Sequence, residues 1–218
     1  MGWIMKKISA LVLAAATLAP SLTFAHEAGD FLFRAGTATV RPNAGSDDVL
    51  GQGSFGVNNN TQLGLTFGYM ITDNIGVELL AATPFQHRVN LPKAGDVAKV
   101  KHLPPTLMAQ YYFGAKENNL RPYVGVGVNY TTFFSEKFND NNATVEAAKL
   151  NSLDLKDSWG IAGQVGLDYQ LDKNWILNTS LWWVNIETDV RFKAGDAEQK
   201  YKTRLDPWVF MFGVGYKF

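Results

Sequence analysis

The sequence predicts an all-β chain closed into an eight-stranded antiparallel transmembrane barrel, and three observations carry that prediction. Residues 208–218 set Trp208, Phe210, Phe212, Val214, Tyr216 and Phe218 at a strict period of two, with small or mixed residues between them. A period of two places one set on each face of a strand, and a face this aromatic suits lipid better than water. Eight alternating segments can be traced, and the linkers between them run short, then long, without exception. No run of about 18 apolar residues follows residue 25, so a barrel is the remaining way across a bilayer, where every backbone polar group must be paired internally.

The N-terminus reads as a secretory leader. Met5-Lys6-Lys7 is a basic start, an apolar run covers 8–22, and Thr23-Phe24-Ala25 supplies the small residue expected before cleavage. The expected domains are therefore a signal peptide over 1–25 and one barrel domain over 26–218, beginning at His26-Glu27. Of the 20 basic residues, Lys6 and Lys7 lie in the leader; the 20 acidic residues all follow it, so the exported chain is slightly acidic. No basic excess points to nucleic acid. Cysteine is absent although export would permit disulfides, so stability must come from elsewhere, and a closed hydrogen-bonded sheet supplies it.

The eight segments are 30–40, 60–71, 75–85, 101–113, 121–134, 153–171, 175–190 and 202–218. Short linkers at 72–74, 114–120 and 172–174 are rich in turn formers. The linkers at 41–59, 86–100, 136–152 and 191–201 are longer, polar and read as irregular. That asymmetry is the one expected of tight periplasmic turns and long extracellular loops, with both termini periplasmic.

The outward-facing sets include Phe31 and Phe33; Leu63, Leu65, Phe67 and Tyr69; Ile75, Val77, Leu79 and Ala81; Val124, Val126 and Val128; and Ile161, Val165 and Leu167. No charged residue falls among them. Trp175 and Trp183 are eight residues apart on one face, about 20 Å along the membrane normal, against an apolar band of about 25 Å. Tyr69, Tyr169, Trp175 and Tyr216 would form one aromatic girdle, and Phe85, Trp159, Trp183 and Trp208 the other. A soluble eight-stranded ligand-binding barrel would instead turn these rings inward, with no reason for two belts.

Several blocks carry a family resemblance. They include Thr61-Gln-Leu-Gly-Leu-Thr-Phe67, Asp73-Asn-Ile-Gly-Val-Glu-Leu-Leu-Ala-Ala-Thr-Pro-Phe85, His102-Leu-Pro-Pro-Thr-Leu-Met-Ala-Gln110 and Arg204-Leu-Asp-Pro-Trp-Val-Phe-Met-Phe212. In these blocks and across nearly the whole exported chain, the sequence resembles the outer-membrane protein W family. The resemblance implies an eight-stranded outer-membrane barrel with a narrow apolar lumen that passes small hydrophobic molecules, and some members double as colicin receptors. It also implies that Phe218 ends a signal read by the barrel insertion machinery. The expected surroundings are outer-membrane lipid and lipopolysaccharide around a monomer.

Parity gives the lumen independently. Near the periplasmic turns, Arg34, Glu78, Gln110, Gln164, Asp168, Gln170, Asn178 and Lys217 point inward, and their mixed charges in so small a barrel predict a paired polar plug. Around and above the middle, Leu80, Ala82, Pro104, Met108, Trp182, Val184, Val209 and Met211 predict an apolar level, where a water-filled porin would carry charge. From the resemblance, Leu80 and Trp182 are the pair that narrows this lumen. Pro84, Pro104 and Pro105 lie across one strand pair at this height; proline donates no ladder hydrogen bond, so they predict a weak point in the wall and a lateral exit.

Other chemistry finds little support. His26, His87 and His102 are the only histidines and lack ligand spacing, so no metal and no cofactor are expected. Ser180 faces the lumen without a lumenal histidine at its height, so no hydrolase is expected. Gly125-Val-Gly127 lies inside a strand and is no phosphate loop. Against a conduit for small hydrophobic molecules stands a second reading, a surface receptor for a phage, colicin or host factor whose lumen is inert.

Overall fold

The computed structural model describes residues 25–218; of the expected signal peptide, all but Ala25 lies outside the described residues. Eight antiparallel strands close on themselves: β1 (Phe31–Arg41), β2 (Asn60–Met70), β3 (Ile75–Ala82), β4 (Thr106–Tyr112), β5 (Leu120–Phe138), β6 (Ser158–Gln170), β7 (Trp175–Val184) and β8 (Trp208–Lys217). Each pairs with its neighbours in sequence, and β1 pairs with β8 over Leu32–Lys217 to Arg41–Trp208, leaving no open edge in the barrel.

Apart from Phe85, every residue on the expected outer rows is exposed or half-buried, with Val126 at 71 % and Trp159 at 74 %. At the end carrying the tight turns and both described termini, here the turn end, Phe31 packs on Tyr69 and Trp175 on Tyr216, ring centres 4.8 and 5.2 Å apart. At the other, loop end, Tyr130 packs on Trp159 at 4.8 Å, and Trp208 is half-exposed.

Linker 41–59 is irregular apart from short pairings at Gly45–Ser46 and Gly56–Val57, but the other three long linkers are not. Residues Phe85–Leu91 and Gly95–Leu103 form a hairpin that extends the wall and pairs with the upper part of β5. Glu187–Ala194 and Ala197–Arg204 form a second, joined by Leu150–Leu155, and a short helix, Ala143–Ala147, starts at Asn142, whose side chain accepts from the Thr144 and Val145 amides. These segments bury a core of their own, including Phe55, Leu91, Val97, Val145, Val190 and Phe192. The predicted strands therefore run too long, since 75–85, 101–113, 175–190 and 202–218 each break near the loop end and resume in a hairpin. Pro84, Pro104–Pro105 and Pro207 mark three of the breaks.

One break changes phase. Leu80 and Ala82 face inward, and beyond Thr83-Pro84 it is Phe85, His87 and Leu91 that do so. Phe85 is consequently buried, not part of the outer aromatic girdle as its parity with Leu79 and Ala81 suggests.

Candidate functional site

The lumen is built in two storeys. The lower one centres on Arg34, fully buried on β1. Its guanidinium donates to Glu78 of β3, to Asp168 of β6 and, at 3.0 Å, to the Tyr112 hydroxyl. Gln110 and Gln164 each donate to Glu78 Oε1, at 2.8 and 2.9 Å, and Gln110 also donates to Gln164 Oε1 at 2.8 Å. Asn178 donates to Asp168 Oδ1 at 2.7 Å. One cation thus faces two carboxylates whose remaining lone pairs are taken by amides, the condition under which buried charge is tolerated. The cluster crosses the barrel from β1 to β6.

Parity brings six of the eight expected plug residues together here. Lys217 stands apart, because it is the last inward position of β8 and its ammonium sits at the rim beside Asp30, 3.6 Å away. Gln170 is at the rim too, donating to the Asp172 carbonyl. His26 joins the cluster without having been foreseen: its Nε2 is 2.8 Å from Asp168 Oδ2, and its ring meets Tyr112 edge-on at 4.8 Å. It belongs to no alternating segment, so periodicity gave no sign of it. Tyr112 and Tyr123 lie on inward rows of β4 and β5, and extending the parity count along those strands finds both.

Above this network the interior turns apolar. Leu80, Met108, Trp182, Val184, Val209 and Met211 are buried in one cluster with Ala38, Val40, Phe85 and Ile186. Met108 pairs in register with Glu78 and Met211 with Ser180, which makes the two methionines the floor between the storeys. Trp182 is fully buried and donates from its indole N–H to Ser180 Oγ at 3.0 Å. Over the floor lies a chamber of about 20 Å³ lined by Leu80, Ala82, Pro104, Val184 and Val209, together with Ala38, Val40, Phe85, His102, Thr106, Ile186 and Pro207. Ala38 and Val40 follow from the parity of Arg34. Phe85 and His102 come from the base of the hairpin whose remainder, 86–100, reads as irregular. The chamber is nearly closed, so a guest larger than a water molecule requires side chains to move.

The wall beside the chamber is interrupted. The β3–β4 ladder ends at Leu80–Thr106 and pairing resumes only at Phe85–His102. On each side the chain is tied away from the gap: Thr83 donates its amide to the Leu63 carbonyl at 3.1 Å, and the Pro105 carbonyl accepts from the Tyr130 amide at 3.1 Å. Asn129 donates to the carbonyls of Pro104 and Pro105, at 3.2 Å each. Pro84, Pro104 and Pro105 flank this gap, two of them consecutive.

Comparison with known proteins agrees with this architecture. A family model described as the OmpW family matches residues 27–218. Outer membrane protein W of Escherichia coli (strain K12) is 57 % identical over 215 residues, covering 98 % of this chain and 100 % of that protein. The crystal structure of the outer membrane protein OprG from Pseudomonas aeruginosa superposes with a TM-score of 0.81 at 43 % identity, covering 88 % of this chain and 97 % of that one. A more distant relative, 29 % identical over 207 residues, covering 91 % of this chain and 92 % of its own length, is the "Dibenzothiophene metabolism operon protein PahQ" of Pseudomonas aeruginosa. The chain belongs to the OmpW family and is an eight-stranded barrel of the outer membrane.

Proposed function

We propose that this barrel takes small hydrophobic molecules from the cell exterior into its upper lumen and releases them sideways into the membrane. In this reading the turn end faces the periplasm and the hairpins face outward, among lipopolysaccharide. The carrying observation is the conjunction of three features: an apolar chamber, a charged network directly beneath it, and an interrupted ladder beside it.

The energetics favour this route over a straight one. Each CH₂ taken out of water stabilises by about 0.8 kcal/mol, so an eight-carbon guest gains several kcal/mol on entering the chamber. Continuing downward would require parting Arg34 from two carboxylates in a low-dielectric interior, which costs at least as much. Passing through the gap by Pro84, Pro104 and Pro105 into lipid breaks no ladder hydrogen bond, and lipid receives the guest as well as the chamber does. The barrel then acts as a shielded path across the polar surface layer, with no chemistry of its own. PahQ's printed name connects one relative to the metabolism of dibenzothiophene, an apolar fused ring system.

Two variants test this. Leu80→Asp with Val184→Asp should abolish uptake of an apolar probe while the barrel still folds to its heat-resistant form. Ala81→Cys with Pro105→Cys, bridged on the outer face by a short bis-maleimide, should block uptake and leave ion conductance unchanged. Normal uptake by the bridged barrel would refute the lateral route. Normal uptake by the charged chamber would refute the lumenal one.

A further inference from the structure

Two imidazoles close the chamber at its loop end. His102 lines the chamber, and the His87 ring lies behind it, centroids 5.0 Å apart. Both side chains are buried to within 4 %. His87 Nδ1 is 2.6 Å from the Asn58 carbonyl oxygen, which can only accept, so Nδ1 carries the proton and Nε2 presents a bare lone pair. That Nε2 has no protein partner, and neither has Nε2 of His102. Phe85 and Phe133 flank His102, ring centres 5.6 and 6.0 Å away, and supply no donor. The nearby Thr106 hydroxyl is committed to the Pro104 carbonyl at 2.9 Å.

A phenylalanine would fill the His102 position without burying an unpaired nitrogen, so packing alone does not account for two imidazoles here. A metal does not account for them either, since no group of three or more His, Cys, Asp or Glu side chains able to hold an ion occurs among the described residues. Of the two, only His102 lines the chamber, and as a neutral imidazole it has one unprotonated nitrogen that can accept a hydrogen bond from a guest. We infer that His102, backed by His87, forms a head-group site, and that the preferred cargo is amphipathic, an apolar body bearing one O–H donor such as an alcohol, a phenol or a protonated acid. The inference rests on the chamber being the cargo site. Burial supports it by pushing the His102 pKa down to about 3, which keeps the ring neutral across the physiological range with one nitrogen free to accept.

The test uses the full barrel in phosphatidylcholine nanodiscs with ¹⁵N-labelled histidine, titrated with 1-octanol and with n-octane at matched lipid-phase concentrations. One hydrogen bond predicts binding of octanol about tenfold tighter than octane, with an upfield shift of the His102 Nε2 resonance for octanol only. His102→Phe should equalise the two ligands while octane binding persists. Equal affinities in the unaltered barrel, or no imidazole shift, with octane still perturbing the Leu80 and Val184 methyls, would overturn the head-group site and leave the chamber reading intact. If neither ligand perturbs those methyls, the chamber reading fails and the inference falls with it. Should His102→Phe not fold, the imidazole shift in the unaltered barrel decides the matter.

Discussion

Arg34 is the side chain on which the lower lumen depends. Replacing it with methionine would leave Glu78 and Asp168 buried and mutually repulsive, and removal of one partner from a buried pair typically costs about 3–5 kcal/mol. Urea unfolding of Arg34→Met in lipid should show a loss of that order, partly recovered by adding Asp168→Asn, which removes one of the stranded charges. His102 predicts a pH dependence. Burial, and secondarily the charge of His87, holds its folded pKa near 3, below the unfolded value of about 6.5. The unfolded chain therefore binds a proton that the folded chain refuses, and stability is full above pH 6.5 and lost as pH falls toward 3. The slope is at most about 1.4 kcal/mol per pH unit for this group, and His87, also shifted down by burial, adds to it. His102→Phe should flatten the profile measurably. Arg34, Glu78, Gln110, Gln164 and Asp168 were legible because a strict period of two decides which way each points. Phe85 was not, because one residue inserted around Pro84 reverses the phase, and that insertion leaves no mark in composition.

At the scale of elements, the wall is shaped by where side chains are missing. Gly36 of β1 faces Gly213 of β8 on one side and Gly64 of β2 on the other, all in register. A Cβ at Gly36 would lie 2.1 Å from the Phe212 carbonyl oxygen, and one at Gly213 would lie 2.3 Å from that of Ala35. Those contacts are with backbone, which cannot give way without parting β1 from β8, the pair that closes the barrel. Gly36→Val should thus abolish the heat-resistant form on unheated gels, whereas Gly45→Ala, with only the end of Arg204 at 4.0 Å, should leave it unaffected. The eight strands and the tight turns were readable from alternation and from Asp/Asn-rich linkers. The loop-end hairpins were not, since 86–100 and 191–201 mix inward apolar residues such as Leu91 and Phe192 with so many charges that each reads as polar overall. Their β structure rests on packing with one another, around the core that holds Phe55, Val97 and Val145.

For the whole molecule, the lumen divides by chemistry: charged at the turn end, apolar and nearly closed toward the loop end, with the wall interrupted between β3 and β4 at the apolar level. The division was visible in the sequence as a change along the inward rows, from Glu78 to Leu80 and from Gln110 to Met108. The chamber's roof was hidden because Phe85 was assigned to the outer face and 86–100, which joins it to His102, read as irregular. The most direct test of the central claim is photolabelling with an octane-length alkyl diazirine in a lipid bilayer, with adducts mapped by mass spectrometry. The account predicts adducts concentrated on Leu80, Val184 and Val209 and at the gap residues Ala81 and Pro105, saturable by excess octane, with none on Arg34 or Asp168. Adducts spread evenly over outward residues such as Val126 and Ile161, with the chamber unlabelled, would contradict it.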